Sequence, residues 1–154
     1  MSTGAWVLLV AVVAAVAVGA YRAVVDGRFR GTHRIRGAAE PAVDESEAPA
    51  VPSVLDGTPW ADRLGEQATF VQFSSAFCAP CRVTRRVLED VAARTPGVAH
   101  VEIDAEHHLD LVRRLGVSRT PTTLVLDARG AELARAAGTP TKALVLQVLE
   151  SIGD

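Results

Sequence analysis

The 154-residue sequence predicts an α/β protein, a mixed sheet flanked by helices on both faces and preceded by an N-terminal transmembrane helix. Three observations carry that prediction. An uncharged run, "GAWVLLVAVVAAVAVGAY", occupies residues 4–21. From about residue 53, short strand-like runs alternate with segments of helical period. The chain's two cysteines, Cys78 and Cys81, fall where one such strand meets one such helix.

Taken in order, the apolar run comes first. As a helix, 4–21 would span ~27 Å, the short end of what a bilayer requires. Trp6 and Tyr21 bracket it, where interfacial aromatics belong. A cleaved signal peptide is the competing role: "AVAVGA" supplies small residues, but no Lys or Arg precedes the run. A core helix is disfavoured by the lack of any amphipathic pattern, and the segment is read as an anchor. Residues 22–36 carry five arginines against one Asp26. With only Phe29 available for stacking, they read as a basic juxtamembrane segment attracted to anionic lipid, not as a nucleic-acid site. Basic residues after the span and none before it place the C-terminal part in the cytoplasm. Residues 37–52, with four acids and no base, read as an acidic Ala/Pro-rich linker. The formal net charge of −2 says little about partners.

Residues 53–154 form the folded part. A short strand and a short helix at 57–66 ("GTPWADRLGE") open it. "ATFVQFSS" (68–75) is rich in β-branched and aromatic residues and reads as a strand. A helix runs from Ala79 to about Arg94, with Val83, Val87, Leu88 and Val91 at helical spacing. A strand at 97–105 presents Val98, Val101 and Ile103, and a short helix at 106–116 stops at Gly116. Residues 122–130 and 131–138 form a hairpin. Thr139 then caps a last helix with Pro140 in its first turn, burying Leu144, Val145, Val148, Leu149 and Ile152.

Two cysteines this close admit three uses. A structural disulfide would close too short a loop to remove much chain entropy, and a cytoplasmic domain would not keep it oxidised. A metal site needs two more ligands. His107 and His108 point about 100° apart on a helix, and His33 and His100 lie elsewhere, so no metal is expected. A redox pair gains from position. Cys78 opens a helix, where unpaired N–H groups and the dipole favour a thiolate, and Arg82 adds positive charge. Cys81, one turn further in, is placed to resolve a mixed disulfide. Cys78 attacks; Cys81 resolves.

A strand, then "FCAPC", then a helix, and forty residues later "RTPTT", resembles the thioredoxin family. The resemblance covers about residues 53–154 and implies a thioredoxin-like fold. It implies a cis Thr120–Pro121 bond against the cysteine pair, with the Thr120 backbone free to pair with a bound peptide. Phe77, Ala79 and Pro80 would join these two as substrate-binding residues, with Gln72 and Arg82 as modulators. Asp104, Gly130 and Gly138 also fall at family positions. The sequence departs from the family pattern in several places. Phe77 stands where the family usually has tryptophan, Ala79 where glycine is commoner, and Arg86 where a helix-kinking proline occurs. Gln72 stands where an acid assists proton transfer at the second cysteine, and glutamine cannot titrate. The Ala-Pro pair and the opening "LDGTPWADRLGE" are similar to membrane-tethered extracytoplasmic relatives, without the insertion those generally carry before the cis-proline.

The resemblance implies a membrane-anchored thiol–disulfide oxidoreductase acting on protein disulfides, needing no cofactor beyond its own cysteines. In the reducing cytoplasm it would be a protein-disulfide reductase fed by a separate electron donor. Two alternatives stay open: the same chemistry outside the cytoplasm on exported proteins, or a thioredoxin-fold adaptor whose cysteines are slow because of Gln72. Expected partners are protein disulfides, the electron donor and membrane lipid, with no nucleic acid.

Overall fold

The computed structural model describes residues 3–31 and 52–153. The acidic linker expected at 37–52 therefore lies, but for Pro52, outside the described residues. So does the juxtamembrane segment beyond Gly31.

Helix α1 (Thr3–Val25) contains the apolar run, and its side chains from Gly4 to Arg22 are exposed. It is long and apolar enough to cross a membrane. The folded part is an α/β thioredoxin-like unit built from β1 (Arg30–Gly31), β2 (Ala68–Ser74), α2 (Ala79–Arg94), β3 (Val98–Asp104), α3 (Leu109–Arg114), β4 (Thr122–Asp127), β5 (Glu132–Ala137) and α4 (Lys142–Gly153). The mixed sheet has the order β1-β5-β4-β2-β3. Only β2 and β3 are parallel, joined by the α2 crossover.

Alternation along β2 sorts the two cores. Val71 and Phe73 pack with Val101, Ile103, Leu124 and Leu126 beneath α3 and the 54–64 segment. Phe70 points the other way, to Leu88 and Val91 of α2, Val125, and Val145 and Val148 of α4. Helices thus cover both faces of the sheet, as periodicity predicts.

Several local expectations need correction. The short strand expected ahead of residue 57 is absent: residues 54–60 are turns and bends, tied to the sheet by Val54 N–H donating to the Gly130 carbonyl, and only Ala61–Arg63 is a 3₁₀ turn. The last helix starts two residues later than Thr139 predicts. One of its first free N–H groups is met by Thr141, whose Oγ1 accepts from Leu144 N–H at 3.3 Å. Thr139 is otherwise engaged, since its carbonyl lies against Gly27. The third helix starts at Leu109, not 106, because the Asp104 carboxylate holds Glu106 N–H and the His107 ring in a turn. On α2, Val83 faces solvent; the inward stripe is Cys81, Thr84, Leu88 and Val91.

The largest addition concerns residues 26–31, which the sequence reading gave to the membrane surface. They lie on the folded unit. β1 pairs antiparallel with β5, Arg30 opposite Arg135 and Gly31 opposite Ala134, while Phe29 packs against the α2/α4 core.

Candidate functional site

β2 ends at Ser74, and a turn of Ser75–Cys78 delivers the chain into α2. Cys78 N–H donates to the Ser75 carbonyl at 3.3 Å, which closes that turn. Cys78 is the N-cap of α2, and its Sγ accepts from Cys81 N–H at 3.1 Å. An N–H that the helix leaves unpaired is thereby aimed at the sulfur, an arrangement that favours negative charge there. Pro80 sits in the first turn, where its missing N–H costs nothing. Cys78 and Cys81 form a disulfide. Cys78 is partly exposed, whereas Cys81 is buried at 2% exposure.

The residues singled out from the sequence gather around this turn. Phe77 is 99% exposed, an apolar ring held in solvent beside Cys78. Ala79, Pro80 and Arg82 are exposed along the first turn of α2. The Thr120–Pro121 bond is cis, as the resemblance implied, and Pro121 is buried. Thr120 Oγ1 lies 3.2 Å from Ser75 Oγ, which ties this bend to the cysteine turn. One cleft runs along the motif, lined by Ser75, Cys78, Cys81, Arg82, Arg85 and Glu102 among others.

Beneath the pair the sheet becomes polar. Gln72 is fully buried on the Phe70 side of β2 and its Nε2 donates to the Cys81 carbonyl at 3.0 Å. Turning the amide over would set oxygen against oxygen, so this orientation is fixed by its partner. Gln72 Oε1 accepts no hydrogen bond among the described residues. Opposite Gln72 on β3 stands Glu102, 3.5 Å from the same Nε2. Its carboxylate also accepts from Ser74 Oγ and pairs with Arg85 at 2.6 Å. That bond to Glu102 holds the Arg85 guanidinium above its ordinary range, against the opposing effect of burial. The carboxylate missing at position 72 is thus found one strand away.

Sequence reasoning did not single out Glu102. It is one of three polar residues alternating on β3 with His100 and Asp104, and only the parallel register with β2 places it under the cysteines. Among the described residues, no group of three or more His, Cys, Asp and Glu side chains is placed to hold a metal ion.

The fold and the cysteine turn together define the class: a thioredoxin-fold protein with a Cys–Cys pair of the redox-active CxxC kind. Residues 52–151 match the family model described as Thioredoxin, and the chain belongs to that family. It is 32% identical over 108 residues to a thioredoxin of Mycolicibacterium smegmatis, covering 68% of this chain and 96% of the relative. To a thioredoxin of Chlamydia muridarum it is 30% identical over 90 residues, 58% of this chain and 87% of the relative. A thioredoxin point mutant from Halobacterium salinarum NRC-1 shares the fold, with a TM-score of 0.54 at 22% identity, covering 61% of this chain and 79% of that one.

Proposed function

We propose that this protein is a membrane-anchored thiol–disulfide oxidoreductase that works as a protein-disulfide reductase through Cys78 and Cys81. One observation carries the reading: a partly exposed sulfur caps α2 while its partner, one turn deeper, is buried. In the reduced protein Cys78 would be the approachable thiolate, stabilised by Cys81 N–H and the helix terminus. It attacks one sulfur of a client disulfide, and the other client sulfur leaves as a thiolate and takes a proton. Cys81 then loses its proton and attacks Cys78 Sγ, and the second client thiolate departs. The client gains two electrons and two protons, and the pair ends as the disulfide seen in the structure. A dithiol donor restores it.

Phe77, Ala79, Pro80, Thr120 and Pro121 would form the surface that receives the client. The resemblance supports this role for them, as does the 3.2 Å approach of Thr120 Oγ1 to Ser75 Oγ in the cysteine turn. Arginines following the span support a cytoplasmic domain. A reporter fused after Asp154 that works only in the cytoplasm should be active; activity of a strictly extracytoplasmic reporter would move the same chemistry outside. The chemistry is tested by turnover of a folded protein disulfide with a dithiol reductant. No turnover, with the protein folded and its thiols titratable, would leave the adaptor reading, which the non-titrating Gln72 favours.

A further inference from the structure

The folded unit grips its own membrane helix at the rim that receives substrate. Helix α1 runs on into Asp26, whose N–H donates to the Arg22 carbonyl at 2.8 Å. Gly27 N–H then donates to the Ala137 carbonyl at 2.8 Å. Arg119, two residues before Pro121, spans the same point. Its Nη2 lies 2.7 Å from Asp26 Oδ1 and 2.9 Å from the Ala137 carbonyl oxygen. The approach leaves no room for side chains. Gly27 has φ +78°, and a Cβ there would lie 2.2 Å from the Thr139 carbonyl oxygen. Gly138, with φ +100°, would set a Cβ 3.0 Å from Gly27 N. Gly138 N–H in turn donates to the Pro121 carbonyl at 2.8 Å.

The sheet register converts these contacts into a distance. Ala137 is paired with Thr122, and Thr122 with Phe73, so the clamp sits two strands from the end of β2. That is about 10 Å sideways. One helical turn from Arg22 to Asp26 adds about 6 Å. Even with the short turn from Phe73 to Cys78, the cysteine pair stands on the order of 20–25 Å from the end of the apolar run. The composition of residues 37–52 suggests a long tether, but the chain reaches the clamp before it reaches that stretch.

From this geometry we infer that the natural clients are disulfides of other membrane proteins, presented within about 25 Å of the bilayer surface. This rests on the oxidoreductase reading above and names its substrate class. A protein disulfide held further out would lie beyond the reach of a pair fastened to its anchor. One carried near the surface by a second membrane-embedded chain meets the rim at high effective concentration.

The test uses the full chain reconstituted in liposomes, a dithiol reductant, and three disulfide probes. Two are single-span peptides, one with its disulfide about six residues from the lipid and one with it at the end of a helical spacer about 60 Å long. The third is the same disulfide on a soluble peptide. The wild type should reduce the near probe at least about tenfold faster than the far one. A 20-residue Gly/Ser insertion between Val25 and Asp26 keeps the clamp but lengthens the tether. It should raise the far rate until the two differ by less than about threefold, with the soluble probe reduced as by the wild type. Should the insertion cost soluble-probe activity, Gly27→Val, which breaks the clamp without lengthening the chain, is read for the same narrowing. Equal near and far rates in the wild type, with the soluble probe turning over, would overturn the inference and leave the oxidoreductase standing. Failure on all three probes would overturn both.

Discussion

Phe70 and Gln72 lie two residues apart on one face of β2, both fully buried, in opposite kinds of surroundings. Around Phe70 the face is closed by Leu88, Val91, Val125, Val145 and Val148, an apolar layer with ordinary packing demands. Around Gln72 it is closed by a backbone carbonyl, a carboxylate and a guanidinium, with one amide oxygen left unpaired. The apolar end supplies stability. The polar end sits under Cys81 and carries uncompensated polarity that a purely structural layer would avoid. Stability and chemistry are therefore separable along a single strand, and substitutions at the two ends should have different signatures.

The largest separation is expected at the cysteines. Cys78→Ser should abolish disulfide turnover and trap no client. Cys81→Ser should accumulate stable mixed disulfides on Cys78, visible on non-reducing gels. Trapping by the opposite mutant would reverse the assigned roles. At the apolar end, Phe70→Ala should lower unfolding free energy by about 3–5 kcal/mol. Where that variant remains folded, it should alkylate Cys78 at the wild-type rate after reduction. A large change in that rate would show that the two ends are not independent.

A smaller effect belongs to position 72. Gln72→Glu puts a titratable group beneath Cys81, which in the proposed mechanism must shed a proton to resolve the mixed disulfide. Single-turnover resolution should quicken by about 10- to 100-fold, while alkylation of Cys78 stays nearly unchanged. Glu102 complicates the exchange. Two carboxylates would stand side by side in a partly buried layer, where each would raise the other's pKa. A carboxyl whose folded pKa is raised loses stability as pH climbs past its unfolded value near 4.3. The variant should therefore be least stable, relative to wild type, at neutral pH. Adding Glu102→Gln should return part of that loss. If the acid folds and resolution does not quicken, Gln72 is structural only.

Much of this was legible in the sequence. The β-branched and aromatic run at 68–75 and the helical spacing after Ala79 locate the strand–helix junction, and Cys78 and Cys81 mark it. Alternation along "FVQF" assigns Gln72 to the Phe70 face, where it is found. Glu102 was not legible, because its place depends on the parallel register of two strands separated by a helix. The docking of residues 26–31 was hidden for a related reason. Two residues of edge strand carry no periodicity, and arginines beside an apolar run look like a lipid-facing segment whether or not their backbone pairs with β5. The start of α4 was misjudged because Thr139 and Thr141 offer equal capping signals. In the structure Thr141 takes the cap, accepting from Leu144 N–H, while the Thr139 carbonyl lies against Gly27.

His100 marks the border between the two ends, and it gives the smallest and sharpest test. It pairs with Phe70 in the β2–β3 register, one alternation from Glu102 on the same strand. Its Nε2 is buried without a hydrogen-bond partner among the described residues. Burial lowers its pKa from the ordinary value; Glu89 and Glu102 oppose that shift, and Arg85 adds to it. A histidine depressed in this way is held neutral by the fold, whereas the unfolded chain protonates near pH 6.5. Below that pH the unfolded state binds the extra proton first. Stability should be fully present above about pH 6.5 and decline as pH falls toward the folded pKa. Urea unfolding from pH 8 to pH 5 should show this decline, and His100→Gln should flatten it without changing disulfide turnover at neutral pH. An unchanged slope would mean that the imidazole is hydrated in the native state. The polar layer would then extend past Gln72 to the level of Phe70, with which His100 is paired.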